Sequence, residues 1–304
     1  MTGRLFRANL FIGVFILAAS SVLLALGVPL MKTWYYCFAW WSTILVLDSL
    51  NFRRSRQSPV SESVPRFFFY AFVSVSIWIV FELYNLRLGN WSYHGLSASF
   101  IVRWPGYAVA FATVVPGLLE LEVLFCGFFK KRKGTSARWR FSAPLLRLSS
   151  AFGILCLVLP VFFPRVFFPL VWLGFFFLLE PENYRARRAS IFRELEAGHP
   201  ASALAWMTAG LAAGILWELF NFWAGSHWEY AIPYLGFGKI FQMPILGYGG
   251  FVPFALEIAA MVVAFGGLYA AVRPSRALRA VFFAGLVAFD LVGFYLIDTF
   301  SLAR

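Results

Sequence analysis

The sequence predicts an all-α, polytopic membrane helix bundle of about nine transmembrane helices, built from two parallel four-helix repeats plus one extra C-terminal helix. Three observations carry this expectation. Of 304 residues, 61% are hydrophobic, 20% aromatic and only 13% charged, far from the roughly half-apolar, quarter-charged mix of soluble domains. The apolar residues fall into about nine segments, each long enough for a hydrocarbon core about 30 Å thick at about 1.5 Å of rise per residue. The chain also repeats itself. A water-soluble globule is excluded, and the formal net charge of +12 becomes a question of topology rather than of nucleic-acid binding.

The segments lie at 8–28, 34–51, 67–88, 106–129, 145–163, 166–184, 202–223, 245–272 and 278–298. Arg4 and Arg7 ahead of the first resemble a signal peptide, but its length of about 20 residues argues for a retained anchor. Of the 26 Lys and Arg, 20 fall in alternate gaps, including Arg53, Arg54, Arg56 and Arg66, the run Lys130–Arg140, and Arg185, Arg187, Arg188 and Arg193. That bias places the N-terminus in the cytoplasm and the C-terminus outside, in an inner or plasma membrane. The run 130–140 then reads as a cytoplasmic loop, not as a nucleic-acid or lipid patch.

Two copies of one unit are visible. Trp40, Asp48, Asn51, Phe52, Arg53 and Ser58 recur at constant spacing as Trp172, Glu180, Asn183, Tyr184, Arg185 and Ser190. Glu82, Leu83, Tyr84 and Asn85 recur as Glu218, Leu219, Phe220 and Asn221, and Trp91, Tyr93, Pro116 and Glu120 as Trp228, Tyr230, Pro253 and Glu257. Four spans per unit is an even number, so both copies enter the membrane the same way and are related by an axis along its normal. The expected units are residues 1–140, 141–276 and an unpaired helix over 277–304.

A carboxylate at the centre of a membrane helix costs about 2.5 to 3.5 kcal/mol on insertion scales, so each needs a partner or a purpose. Glu82 with Asn85 and Glu218 with Asn221 share helical faces in the outer half of their spans, while Glu120 and Glu257 fall near the midplane. These six are the candidate catalytic residues. The four acids are expected to converge on a cavity lined by Trp78, Trp91, Tyr93, Trp217, Trp228 and Tyr230, where a dehydrated carboxyl group acts as a general acid. The competing readings are plainer: interhelical hydrogen bonds for the acids and amides, a carbonyl freed by Pro116 or Pro253 as the partner of the following Glu, and an interfacial aromatic belt for the Trp and Tyr residues. Asp48 and Glu180, at cytoplasmic helix ends, are expected to pair with Arg53 and Arg185. Asp290 and Asp298, in the unpaired last span, have no repeat mates and gain no support from symmetry.

Cys37, Cys126 and Cys156 stand singly, so neither a disulfide framework nor a thiolate metal site is indicated. His94, His199 and His227 form no ligand set, and Gly247 to Gly250 fits close packing better than phosphate binding. No cofactor and no metal are expected.

The order of elements in each unit resembles the small integral-membrane lycopene cyclase family of carotenoid synthesis. The residues that carry this likeness are Asp48 to Arg54, then Trp78, Glu82, Gly89, Trp91 and Tyr93, then Pro116 with Glu120. The second copy supplies Glu180 to Arg185, then Trp217, Glu218, Gly225, Trp228 and Tyr230, then Pro253 with Glu257. Where that family has two adjacent acids after its Pro, each Pro here is followed by a single acid four residues later. The resemblance implies a cofactor-independent cyclase, isomerase or hydratase of an isoprenoid or other apolar lipid. The alternatives are a proton- or cation-coupled transporter and a non-catalytic membrane scaffold subunit. The bilayer and an apolar substrate are the expected partners, nucleic acid is not, and the oligomeric state is left open.

Overall fold

Inside lipid an apolar segment must satisfy its own backbone, and a helix does so within one segment. The computed structural model describes residues 3–56, 59, 62–129 and 139–303, so Ser58, Lys130 to Arg138 and Arg304 lie outside the described residues. The helices are α1 (Gly3–Ala25), α2 (Pro29–Ser55), α3 (Val64–Leu88), α4 (Phe100–Phe111), α5 (Val114–Phe129), α6 (Ala143–Phe162), α7 (Pro164–Phe167), α8 (Val171–Arg185), α9 (Ile191–Glu196), α10 (Ala201–Trp223), α11 (Phe251–Val272) and α12 (Arg276–Phe300). Four short strands, β1 (Trp91–His94), β2 (His227–Tyr230), β3 (Lys239–Ile240) and β4 (Met243–Pro244), form two ribbons.

Among the described residues eight helical stretches are long and apolar enough to cross a membrane, an all-α architecture compatible with a membrane helix bundle. The long helix α2 is not among the eight, because Trp, Tyr, Ser and Thr between Thr33 and Thr43 dilute its hydropathy. Its placement is nonetheless end to end. Near its start the Lys32 carbonyl accepts from Ser226 N–H, beside β2, at 3.0 Å. Near its end Arg54 Nη1 donates to the Leu124 carbonyl of α5 at 3.1 Å.

β1 follows α3 and β2 follows α10, and the two pair antiparallel with Trp91 opposite Tyr230 and Tyr93 opposite Trp228. Gly89, at φ +60°, closes α3 in the left-handed conformation and turns the chain into β1. The ends of the ribbon approach closely: a Cβ on Gly95, at φ +64°, would lie 2.1 Å from the Gly225 carbonyl oxygen.

The segment expected as one helix over 106–129 is two, α4 and α5, meeting at Ala112 and Thr113. Pro116 explains the break, since its ring clashes with the carbonyl four residues back, that of Ala112. Ser74 of α3 enters the gap: its hydroxyl donates to Phe111 O at 2.6 Å and accepts from Val115 N–H at 3.0 Å. A serine hydroxyl therefore bridges the ladder between Phe111 and Val115. In the later segment 245–272 a 3₁₀ stretch, Ile245–Gly250, precedes α11 and Pro253 sits in its first turn.

The pairing expected of Glu180 with Arg185 is also replaced. Glu180 accepts from Ser190 Oγ at 2.6 Å and from Phe192 N–H at 2.9 Å, at the start of α9, whereas Arg185 pairs with Glu182. Buried two helical turns from its own helix start, the Glu180 carboxyl finds orphan first-turn donors of the neighbouring helix nearer than a solvent-facing guanidinium.

Candidate functional site

A chamber of about 240 Å³ opens beneath the β1–β2 ribbon, between the first turns of α2, the body of α4, the segment around Trp172, and the start of α11. Trp78, Trp91, Tyr93, Trp217, Trp228 and Tyr230 all lie on its wall. Trp91 and Tyr93 are only 6% and 7% exposed, so they belong to the interior and not to an interfacial belt.

The rings are arranged around Phe254. Its centroid stands 6.0 Å from Trp78, 5.6 Å from Trp172 and 5.8 Å from Trp217, each at a steep interplanar angle. Trp91 closes the group at 6.1 Å from Trp78 and 6.2 Å from Trp172. These spacings suit edge-to-face packing, and aromatic rings gathered around one apolar space are groups that can hold a cation against their faces.

The four acids do not line this chamber. They are divided between two roles. Glu82 and Glu218 stand one layer behind the wall. Glu82 Oε1 accepts from Trp78 Nε1 at 2.9 Å, Trp91 Nε1 at 3.1 Å and the Tyr93 hydroxyl at 2.5 Å. Glu218 Oε1 accepts from the Tyr230 hydroxyl at 2.9 Å. In both residues Oε2 is buried with no hydrogen-bond partner.

Glu120 and Glu257 instead hold helices together. Asn51 Nδ2 of α2 donates to the Glu120 carboxyl at 2.7 Å and to its carbonyl at 2.8 Å. Glu257 Oε1 accepts from Phe175 N–H of α8 at 2.7 Å, and Asn183 reaches the same helix one turn on, at Ala260 O, at 2.9 Å. The expected meeting of four carboxyls in one cavity is thus corrected to two Glu–Tyr couples at the chamber and two helix ties away from it. The neighbours decide this, since α2 and α8 offer donors beside Glu120 and Glu257 whereas the ribbon offers phenols beside Glu82 and Glu218.

Asn85 and Asn221 do not reach the chamber wall either. Each uses its amide as a strand substitute. Asn85 donates to Trp91 O at 2.8 Å and accepts from Trp91 N–H at 3.1 Å, and Asn221 does the same for Trp228, at 2.8 Å in each direction. They are positioning residues for the two wall tryptophans.

Tyr93 and Tyr230 lie in the ribbon, outside the membrane-spanning helices. Burial first, and then the neighbouring Glu82 or Glu218, push both phenols well above the ordinary tyrosine value. Each stays a phenol, able to give and take a hydrogen bond at once.

Trp172, Phe254, Tyr107 and Arg103 also line the chamber and were not among the candidates. Phe254 follows Pro253 directly and stands three residues before Glu257, a helical neighbour that could have flagged it. Arg103 and Tyr107 carried no repeat signal. Among the described residues no cluster of His, Cys, Asp and Glu has the geometry for a metal ion. Comparison with protein-family models, with curated proteins and with solved structures returns no match for this chain.

Proposed function

We propose that the chain is an intramembrane, cofactor-independent isomerase, cyclase or hydratase acting on an isoprenoid or other apolar, unsaturated lipid. The observation that carries this reading is the pair of buried carboxyls, Glu82 and Glu218, each backed onto a phenol that faces one tryptophan-walled chamber. The resemblance to the integral-membrane lycopene cyclases points the same way.

The architecture proposed with it is a nine-pass bundle, with α2 counted as a crossing, duplicated over residues 1–140 and 141–276, with 277–304 unpaired. The antiparallel register of β1 with β2, which sets Trp91 against Tyr230 and Tyr93 against Trp228, supports a two-fold relation between the halves. The positive-inside bias supports a cytoplasmic N-terminus, with the ribbon and chamber on the outer side of an inner or plasma membrane.

The chemistry needs a proton in and a proton out. Glu82 does not line the chamber and Tyr93 does, so the Tyr93 hydroxyl would turn from Glu82 to give its own proton to the substrate and take the Glu82 proton in its place. Addition to one carbon of a double bond uses the π pair to form the new C–H bond and leaves a cation at the neighbouring carbon. The Trp78, Trp91 and Trp217 faces stabilise that cation. Attack by a second double bond closes a ring and moves the positive charge to the far carbon of that bond; loss of an adjacent proton to the Tyr230–Glu218 couple, with or without that closure, ends the sequence in an isomer of the substrate, and attack by water followed by loss of a proton from the added water to the same couple gives the hydrate.

The test is expression in cells that accumulate a linear polyene, followed by pigment analysis. The expected result is a new isomeric or hydrated product, with Tyr93→Phe and Glu82→Gln each lowering its rate by roughly 10²- to 10⁴-fold, the usual share of general acid–base catalysis. Unchanged pigment across several polyenes would overturn the proposal.

A further inference from the structure

Tyr93 and Tyr230 occupy matching places in the ribbon, but among the described residues only Tyr93 has its main chain held from a third segment. The residues after α12 run beside it, with Leu302 bridged in parallel to Tyr93. Tyr93 N–H donates to the Ser301 carbonyl at 2.8 Å, and Ala303 N–H donates to the Tyr93 carbonyl at 2.9 Å. Both main-chain groups of Tyr93 are taken up in this way, and Ser301 is buried. Among the described residues no segment pairs in this manner with Tyr230.

The last turn of α12 is itself fastened to the chamber wall. Asp298 accepts from Arg103 Nε at 2.7 Å and Nη2 at 2.5 Å, from Trp104 Nε1 at 2.8 Å and from the Tyr107 hydroxyl at 3.0 Å. Two-pronged guanidinium binding to a carboxylate fixes orientation as well as distance. Arg103 and Tyr107 line the chamber, and the Tyr107 ring stands 6.0 Å from that of Tyr93. A further difference between the halves lies behind the phenols. Trp78 donates to Glu82 from one helical turn back, while the residue one turn before Glu218 is Gly214, which offers no side chain.

Acid–base groups act only when held within a fraction of an ångström of the productive place, and a displacement of about 1 Å costs on the order of 10² in rate. We propose that Asp298 together with Ser301–Ala303 is a positioning element that sets the Tyr93 phenol on Glu82, a support that among the described residues has no counterpart at Tyr230. Its effect on turnover rests on the proton-transfer reading above, whereas its effect on Tyr93 does not.

The experiment uses full-length protein in lipid nanodiscs, with fluorotyrosine in place of Tyr93 or, separately, of Tyr230, observed by fluorine NMR. Asp298→Asn, and independently Ala303→Pro, which deletes the N–H that reaches Tyr93 O, should each displace or broaden the signal at 93 and leave that at 230 within its linewidth. Asp298→Glu, which keeps the charge, should return the signal at 93 part of the way. On an apolar alkene the first two variants should lower kcat roughly 10- to 100-fold with KM little changed. Equal disturbance at 93 and 230, or an undisturbed signal at 93 in both variants, would overturn the proposal. Selective displacement at 93 in a protein that turns over no alkene would support the positioning element and remove the proton-transfer reading.

Discussion

A phenol that is buried beside a carboxyl binds its proton more tightly folded than unfolded, and this ties Tyr93 and Tyr230 to the pH dependence of stability. Their folded values are raised, by burial first and the adjacent Glu second, above an unfolded value of about 10. The stabilising contribution is therefore complete below about pH 10 and is lost as the pH climbs toward the folded values. Thermal unfolding in detergent should show Tm falling with pH above about 10, with a shallower fall in Tyr93→Phe. An identical slope in that variant would count against the burial of this phenol. Trp91, Tyr93, Trp228 and Tyr230 were legible in the sequence because they are mates at constant spacing, whereas Trp78 and Trp217 are not mates and were marked by residue type and depth alone. Arg103 and Asp298 were not legible, since their contact joins positions 195 residues apart and neither has a mate. The sequence also marked Glu120 and Glu257 as strongly as Glu82 and Glu218, because residue type and depth do not reveal which neighbour supplies the donor.

At the level of elements, proline and small residues do the shaping. Pro116 announced a discontinuity, but which side chain would mend it depends on how α3 lies across α5, and that is set by packing. Ser74, fully buried, fills the role. Ser74→Ala should leave Val115 N–H and Phe111 C=O without partners in an apolar setting, at a cost of about 1 to 3 kcal/mol, readable as a lowered unfolding midpoint; an unchanged midpoint would mean that the broken ladder heals itself. Close helix contact is the other theme. A Cβ on Gly153 of α6 would stand 2.5 Å from Leu178 N of α8, and one on Gly174 would meet Leu157 at 2.4 Å. Gly–Gly approach of this kind lets two backbones pack without hydrophobic drive. The apolar periods that gave the helices from sequence were blind to it, since any small residue reads alike there.

For the whole molecule, composition alone was enough to read a membrane helix bundle, while the number of crossings turned on α2. With roughly 27 residues at about 1.5 Å each, near 40 Å, a helix of this length can span the hydrocarbon core, and its ends meet β2 neighbours at one extreme and α5 at the other. With α2 counted as a crossing, Leu26 and Glu62, before and after it, fall on opposite faces of the membrane. Cysteine introduced at Leu26 should react with an impermeant maleimide added to intact cells, and cysteine at Glu62 only after permeabilisation. Labelling of both from the same side would reduce the count to eight, and labelling of Glu62 alone in intact cells would reverse the topology.

The β1–β2 ribbon joins stretches far apart along the chain, one following α3 and the other following α10. During synthesis the first strand emerges with its edge open and must wait while several later helices are threaded into the lipid. Tyr93 thus reaches its final seat only once β2 and, last of all, Ser301 to Ala303 arrive, so the chamber is assembled at the very end of biogenesis, after α12 has been inserted.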